Sequence, residues 1–506
     1  MTKRAIIHVE NTEGILDFAR FLVDSGWTIL TANKTEELLR REKIPYQRET
    51  ALQENNFFVN DTSGFVQSII STKYPDSDIS QYREQSDDKD VYLICVNLYP
   101  MMASNYAENN NNKINLPPNN FYMSTILRTA TINYRNILII CDPEDYKEAI
   151  IQLRTDNITE EFRLYLAAKA LNMVSAYDSG LADSLLLKSS ENTDFLNYLT
   201  FPYMKLHQLK GGSNPQQKAC LYKSPVETGA MTGLQRLPLK EMNYNIITDA
   251  SLAWDEICML YTNLKNQYTI KTTNCDGYSF VTQFTPLTGT VFTIAIKYKS
   301  IIGAALSTNV VKAFKNTYTY DISSIKDVTI GCSSVVDEAA AKEMVNCNIA
   351  AIIAPGFTPR AKETLSANKG IRLIPTSKIA NSEYDLELLN GGLLFQKKDS
   401  VIFNQWQIKT KNRPTQYMAD QMIFGMLLAM ASRTYSAVVL KNNYITGISQ
   451  ASKSDTKAVS NVLVETMEYQ ARNGIPETES LGELLVCDTA LSLCPAVKKL
   501  IDNGVT

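Results

Sequence analysis

The chain has 506 residues, of which 44% are hydrophobic and 20% charged, with 50 basic against 53 acidic side chains and a net charge of -3. That length exceeds one compact core and that composition is globular, so two to four ordinary domains are expected. The near-neutral balance gives no reason to expect nucleic acid or an acidic membrane as partner. The start, Met1-Thr2-Lys3-Arg4, lacks a signal-peptide core, and the longest apolar stretch, Met422 to Ala431, is too short to span a bilayer. Nine scattered cysteines without CxxC spacing predict reduced thiols in the cytoplasm and no structural metal. Only two histidines, His8 and His207, are present, which excludes a His-rich metal site. His8 reads as a core residue of a buried strand and His207 as a solvated one, so proton transfer falls to Lys, Tyr, Cys, carboxylates or water.

Ala5 to Val9 predicts a first buried strand, and Ile15, Phe18, Ala19 and Leu22 recur at helical spacing behind it. Gly26 stands where a helix end takes positive φ. Trp27 to Leu30 predicts a strand, Thr35 to Arg41 a short helix, and Val91 to Val96 and Ile137 to Cys141 further buried strands. The sum is a doubly wound α/β domain. Glu84 to Asp90 and the asparagine run within Glu108 to Lys113 read as solvated loops. A helical region is expected from Thr159 to about Tyr198, with Leu164, Ala167, Leu171 and Val174 on its apolar face. The Gly-rich Leu209 to Pro215 marks a boundary, after which α/β alternation resumes without repeats.

Several collinear motifs resemble one family. Asn97-Leu98-Tyr99-Pro100, Ile126-Leu127-Arg128 and Cys141-Asp142-Pro143-Glu144-Asp145-Tyr146 come first. Leu209-Lys210-Gly211-Gly212-Ser213-Asn214-Pro215-Gln216-Gln217 and Tyr244-Asn245 through Asp249-Ala250 to Ala253-Trp254 follow. Ile352-Ile353-Ala354-Pro355-Gly356 and Arg413-Pro414-Thr415 complete the set. Together they resemble the bifunctional purine-biosynthesis family that joins AICAR transformylase to IMP cyclohydrolase. The resemblance implies a methylglyoxal-synthase-like cyclohydrolase domain over residues 1–200. It also implies cytidine-deaminase-like transformylase subdomains, without zinc, over 201–370 and 371–506. A homodimer with transformylase sites at its interface is implied as well. Cys487-Asp488-Thr489-Ala490 replaces an aromatic-rich family segment, and the sequence stops roughly fifty residues short of the family's usual end.

The motif positions depart from the family's chemistry. In the cyclohydrolase half Ser71 stands for a lysine, Tyr74 for a histidine, Asn115 for an acid and Ile132 for a second lysine. A phosphate-binding glycine pair is replaced around Ala32-Asn33-Lys34, while Lys73 is a partial substitute and Tyr99 survives. In the transformylase half Lys271 and Asn274 match, but the proton-accepting histidine has become Thr272, whose hydroxyl has no useful pKa near 7. Lys210 replaces an arginine and loses its bidentate fork, and Gln216 replaces a histidine. Ser300 to Ala304 replaces a Phe-Gly segment of the folate pocket, and Gly447-Ile448-Ser449-Gln450 is a reduced glycine-glutamine motif.

Lys271, Asn274, Thr272 and Tyr99 are therefore the candidate catalytic residues. Lys210, Gly212, Asn214, Arg128 and Lys73 are the candidate substrate-binding residues. Arg128 is read equally well as a helix anchor, Gly211-Gly212 as a flexible junction, and Cys275 and Cys487 as idle thiols. Three readings follow. The favoured one is a repurposed formyl- or one-carbon-type transferase with an anionic or heterocyclic substrate, 10-formyltetrahydrofolate being the donor that the resemblance implies. The others are a catalytically silent scaffold and a working bifunctional purine enzyme.

Overall fold

The computed structural model describes residues 3–48, 91–98, 118–186, 195–224, 242–265, 268–273, 279–284, 290–321, 326–377, 384–402, 408, 414–476, 478–491 and 494–505. They form mixed α/β structure in two compact units, Met1–Met204 with Ser224–Glu227, and Lys205–Lys223 with Thr228–Thr506.

In the first unit β1 (Arg4–His8), α1 (Ile15–Asp24), β2 (Thr28–Thr31), α2 (Asn33–Arg41), β3 (Gln47–Arg48) and β4 (Val91–Val96) follow in order. They are succeeded by α3 (Pro118–Ile132), β5 (Leu138–Ile140), α4 (Tyr146–Arg154) and α5 (Glu160–Leu186). The strands make one parallel sheet in the order β3-β2-β1-β4-β5. Its central strands β1, β4 and β5 are mostly apolar because both faces are covered, whereas the edge strand β3, Gln47–Arg48, is exposed. Ile6, Ile94 and Ile139 pack in one core with residues of α3 and α5, and Ala5, Ile7, Leu93 and Leu138 pack in another with α1. Ile15, Phe18, Ala19 and Leu22 are all fully buried, as their spacing predicts, and Gly26 has φ +81.

Two expectations need correction. The long helix ends at Leu186, and Leu164 and Leu171 on it are 53% and 47% exposed. Its buried stripe runs through Leu166, Ala170, Val174 and Tyr177, about a quarter-turn away from those leucines. Ala167 and Val174 of the expected face are buried, but Leu166 and Tyr177 complete the buried stripe in place of Leu164 and Leu171. His207 is not a freely solvated side chain: it lies partly buried in β6 (Met204–Gln208), which pairs with β7 (Cys220–Lys223), and its Nε2 is buried. His8 is buried in β1, as expected.

The second unit is organised by α6 (Tyr244–Lys265) and a mixed sheet. A ribbon of β8 (Tyr268–Thr273) and β9 (Ser279–Phe284) follows α6. Next come β10 (Val291–Lys297), β11 (Ser300–Ser307), α7 (Val310–Tyr318), β12 (Val328–Cys332), α8 (Glu338–Met344), β13 (Ile349–Ala354), α9 (Pro359–Ser366) and β14 (Arg372–Pro375). A second ribbon, β15 (Tyr384–Leu389) with β16 (Gly392–Lys397), precedes α10 (Gln416–Ala431). The chain ends with β17 (Ala437–Lys441), β18 (Tyr444–Ser449), α11 (Asp455–Arg472), β19 (Leu484–Cys487) and α12 (Pro495–Asp502). The large sheet has eight strands in the order β14-β13-β12-β10-β11-β18-β17-β19. Helix α6 buries Ala250, Ala253, Trp254, Ile257 and Leu260 in the core beside Phe292, Ile294 and Ile353.

The seam of this sheet is β11 against β18, where the ladder pairs only Ala305 with Tyr444. The Gln450 side chain supplies what the ladder lacks. Its Oε1 accepts from the Ile301 N–H at 2.9 Å and its Nε2 donates to the Ile301 carbonyl at 2.8 Å. The glutamine of the reduced family motif is thus engaged in joining two parts of one sheet. Replacing Gln450→Ala strips both backbone groups of their partner and is expected to lower stability by about 1–3 kcal/mol. Chemical denaturation checks this; a change within about 0.5 kcal/mol contradicts it.

Candidate functional site

The Lys210 loop is built by its own backbone. Lys210 N–H donates to the Met242 carbonyl, Tyr244 N–H to the Gly211 carbonyl, and Gly212 N–H to the Gln217 carbonyl at 2.8 Å. Asn214 N–H donates to Gln217 Oε1 at 2.9 Å, and Asn245 Nδ2 to the Ser213 carbonyl at 3.2 Å. A Cβ at position 212 would lie 2.6 Å from the Gln217 Cβ, so glycine is required there by the loop itself. Gly211 and Gly212 therefore belong to an ordered turn that docks on the start of α6.

That turn forms one wall of a cavity of about 510 Å³. The other walls are the N-terminus of α6, the hairpin turn after β10, Asp327, and the start of β14. Lys210, Lys297 and Arg372 line it, and the first turn of α6 adds its partial positive charge. Lys210 is exposed and makes no ion pair among the described residues. Arg372 donates to the Gly370 carbonyl at 2.6 Å, and Lys297 lies 5.8 Å from the Tyr298 ring centre. Asp327 is the counter-charge, and Asp249 is otherwise engaged: its two oxygens accept the N–H groups of Tyr298 and Lys299 at 2.9 and 2.8 Å. Tyr298 and Lys299 have φ +50 and +63, a costly conformation for residues with a Cβ, which Asp249 holds in place. Burial raises the Asp249 carboxyl, against the pull of those two N–H donors. The cavity is electropositive and suits a small anion with a polar or planar body.

In the first unit, ligands of doubly wound sheets sit at the C-terminal strand ends where the order reverses, here between β1 and β4. Asn97 spans that crevice. Its Oδ1 accepts from the N–H groups of Glu10 and Asn11 at 2.6 and 2.9 Å, and its Nδ2 donates to the Asn11 carbonyl at 3.2 Å. Glu10 adds a carboxylate that pairs with Lys34 at 3.1 Å. The Glu10 and Asn11 N–H groups are thus taken, and the local charge is partly acidic. Lys169 on α5 reaches Asp142 and Asp145, each at 2.8 Å. Burial opposes its charge, but the two carboxylates outweigh it and hold the ammonium above its ordinary value. Arg128 on α3 pairs with Asp178 on α5 and hydrogen-bonds Ser124, which is the helix-anchor arrangement. Ile132 is exposed.

Lys271 and Thr272 lie in β8, in register with Val281 and Phe280 of β9. Tyr99, Lys73, Ser71, Tyr74, Asn115, Asn274, Cys275 and Arg413 lie outside the described residues. The Cys487 thiol is pushed up to about 12 by burial, which makes it an idle thiol rather than a nucleophile. No group of three or more metal-ligating side chains occurs among the described residues, and no helix among them is long and apolar enough to cross a membrane.

The parallel sheet, the eight-stranded mixed sheet and the cavity at the N-terminus of α6 define a two-unit α/β protein. The family model described as AICARFT/IMPCHase bienzyme matches residues 130–462, and the chain belongs to that family. Similar relatives carry the name bifunctional purine biosynthesis protein PurH. That of Brachyspira hyodysenteriae is 28% identical over 455 residues, covering 88% of this chain and 84% of the relative. That of Petrotoga mobilis is 25% identical over 511 residues, covering 100% and 93%. That of Fusobacterium nucleatum is 29% identical over 463 residues, covering 88% and 83%.

Of the sequence candidates, Lys210 and Gly212 line this cavity and Asn214 does not, while Lys297, Arg372 and Asp249, which also line it, were not among them. The apolar runs at 291–296 and 301–306 around Lys297-Tyr298-Lys299 were the available signal for the hairpin. Replacing Asp249→Ala leaves two N–H groups in a left-handed turn without their acceptor and is expected to cost about 1.5–3 kcal/mol. Denaturation midpoints read this directly, and a variant as stable as its parent contradicts it.

Proposed function

We propose that this chain is a repurposed transferase of the formyl or other one-carbon type, with an altered acceptor and without ordinary IMP cyclohydrolase activity. The observation that carries the reading is the electropositive cavity at Lys210, set against the β1–β4 crevice whose N–H donors Asn97 already occupies. On this reading Lys210 holds the substrate's anionic group, and Gly212 and Asn214 shape the loop around it. Lys271 and Asn274 orient the acceptor amine. Thr272 offers a hydrogen bond there but no base, so the acceptor must be an amine that needs little help in losing its proton. With 10-formyltetrahydrofolate as donor, the amine nitrogen bonds to the formyl carbon, the bond from that carbon to folate N10 breaks, and N10 gains the proton that the amine gives up.

The first domain, 1–200, is read as methylglyoxal-synthase-like and the segments 201–370 and 371–506 as cytidine-deaminase-like, in a cytoplasmic homodimer. The PurH name of the relatives supports a small-molecule substrate rather than a nucleic acid or membrane partner. A silent scaffold is the second reading, favoured by the threonine at position 272. Isothermal titration with AICAR, IMP and a folate analogue separates the two. The folate analogue is expected to bind, with IMP binding absent; no binding by any of the three favours the scaffold.

A further inference from the structure

One buried carboxyl takes no part in the site above. Glu256 lies on α6, 7% exposed, and its Oε2 has no hydrogen-bond partner among the described residues. Leu252, Glu256, Met259 and Asn263 succeed one another along one stripe of the helix. The extended stretch 398–402, which leaves β16, is fastened to α6 at two places. Lys398 Nζ lies 3.6 Å from Asp255 Oδ2. Further on, Asn263 Nδ2 donates to the Ser400 carbonyl at 3.2 Å, and the Ile402 N–H donates to Asn263 Oδ1 at 3.4 Å. The first anchor lies at Asp255, next to Glu256, and the second at Asn263, on the Glu256 stripe, so the strap runs along this side of the helix. Ile402 then enters the core. Glu256 sits along the helix between the anchors.

The charges around it are unevenly matched. Asp255 and Lys398 act on Glu256, and Asp385, at the start of the ribbon that the strap supports, acts on Asp255. Lys398 is the cation among these groups, and Asp255 already engages it. A charged Glu256 would set a second carboxylate, itself buried, beside the one ammonium that Asp255 already engages. In the ribbon Tyr384, Leu386 and Leu388 pair with Lys397, Phe395 and Leu393, and Leu388 is 86% exposed. A two-stranded ribbon of this kind is only marginally stable alone.

We propose that the 398–402 strap is a proton-operated latch, closed on α6 while Glu256 carries its proton and lifted when that proton leaves. Burial, reinforced by Asp255 and opposed by Lys398, pushes the Glu256 carboxyl up to about 8. Its closed-state value exceeds that of an exposed carboxyl. The proton therefore stabilises the closed strap fully below the ordinary carboxylate range, and that contribution is lost as pH rises through about 8.

Hydrogen exchange of the 398–402 amides in the full chain, corrected for the intrinsic pH dependence of exchange, tests this. Protection is expected to fall about tenfold per pH unit from about pH 6 to about pH 8 and then level off. Glu256→Gln, which cannot ionise, is expected to stay protected across the range. Asp255→Asn frees Lys398 and removes a like charge, so its levelling point moves to lower pH; this variant decides the matter should Glu256→Gln fail to fold. A flat profile in the parent, an undiminished slope in Glu256→Gln, or a shift to higher pH in Asp255→Asn overturns the latch.

Discussion

Helix α6 is the constraint on which the second unit depends. Its apolar stripe from Ala250 to Leu260 packs on the eight-stranded sheet, which fixes where its N-terminus opens. From that fixed position Tyr244 and Asn245 hold the Lys210 loop by hydrogen bonds to Gly211 and Ser213, and Asp249 pins the turn at Tyr298-Lys299. Two separated pieces of sequence thus meet around one cavity because a single buried helix anchors both of them. Preorganisation of this kind matters for binding, since donors and cations held in place before a ligand arrives need little reordering when it does.

The first unit shows the opposite use of a similar resource. Its parallel sheet creates the crevice at which such folds hold anions, yet the Asn97 carboxamide fills the hydrogen-bonding capacity there and Glu10 brings a negative charge. Arg128, a cation that sequence would send to a substrate, is tied to Asp178, and Lys169 is tied to the Asp142–Asp145 pair. Buried or half-buried cations with good carboxylate partners are costly to redeploy, because removing one partner strands the other. These residues serve the packing of α3 and α5 against the sheet.

Much of this fold is legible in the sequence, for reasons specific to particular residues. Apolar strands such as Val91 to Val96 and the Ile15-Phe18-Ala19-Leu22 stripe reflect burial, and burial is written in residue type. The long helix α5 misled where it did because it carries apolar residues on more than one face: Leu166 and Tyr177 are buried while Leu164 and Leu171 face outward. The candidate site was half legible. Lys210 and its glycines lie in one contiguous motif, whereas Lys297 and Arg372 reach the cavity only through tertiary structure. The left-handed Tyr298-Lys299 turn lacks the asparagine or glycine that advertises such turns, since Asp249 stabilises it from a distance. Gln450 likewise reads as a ligand-binding glutamine until its partner, Ile301, is known.

The central claim is that the family's scaffold persists here with a usable transferase cavity but without the means to close a purine ring on a phosphate-bearing precursor. Incubating the purified chain with AICAR and 10-formyltetrahydrofolate, and following IMP by chromatography, tests it most directly. The account predicts no IMP above the uncatalysed background. Steady formation of IMP at about 1 per second or faster, an ordinary enzymatic turnover, would contradict it.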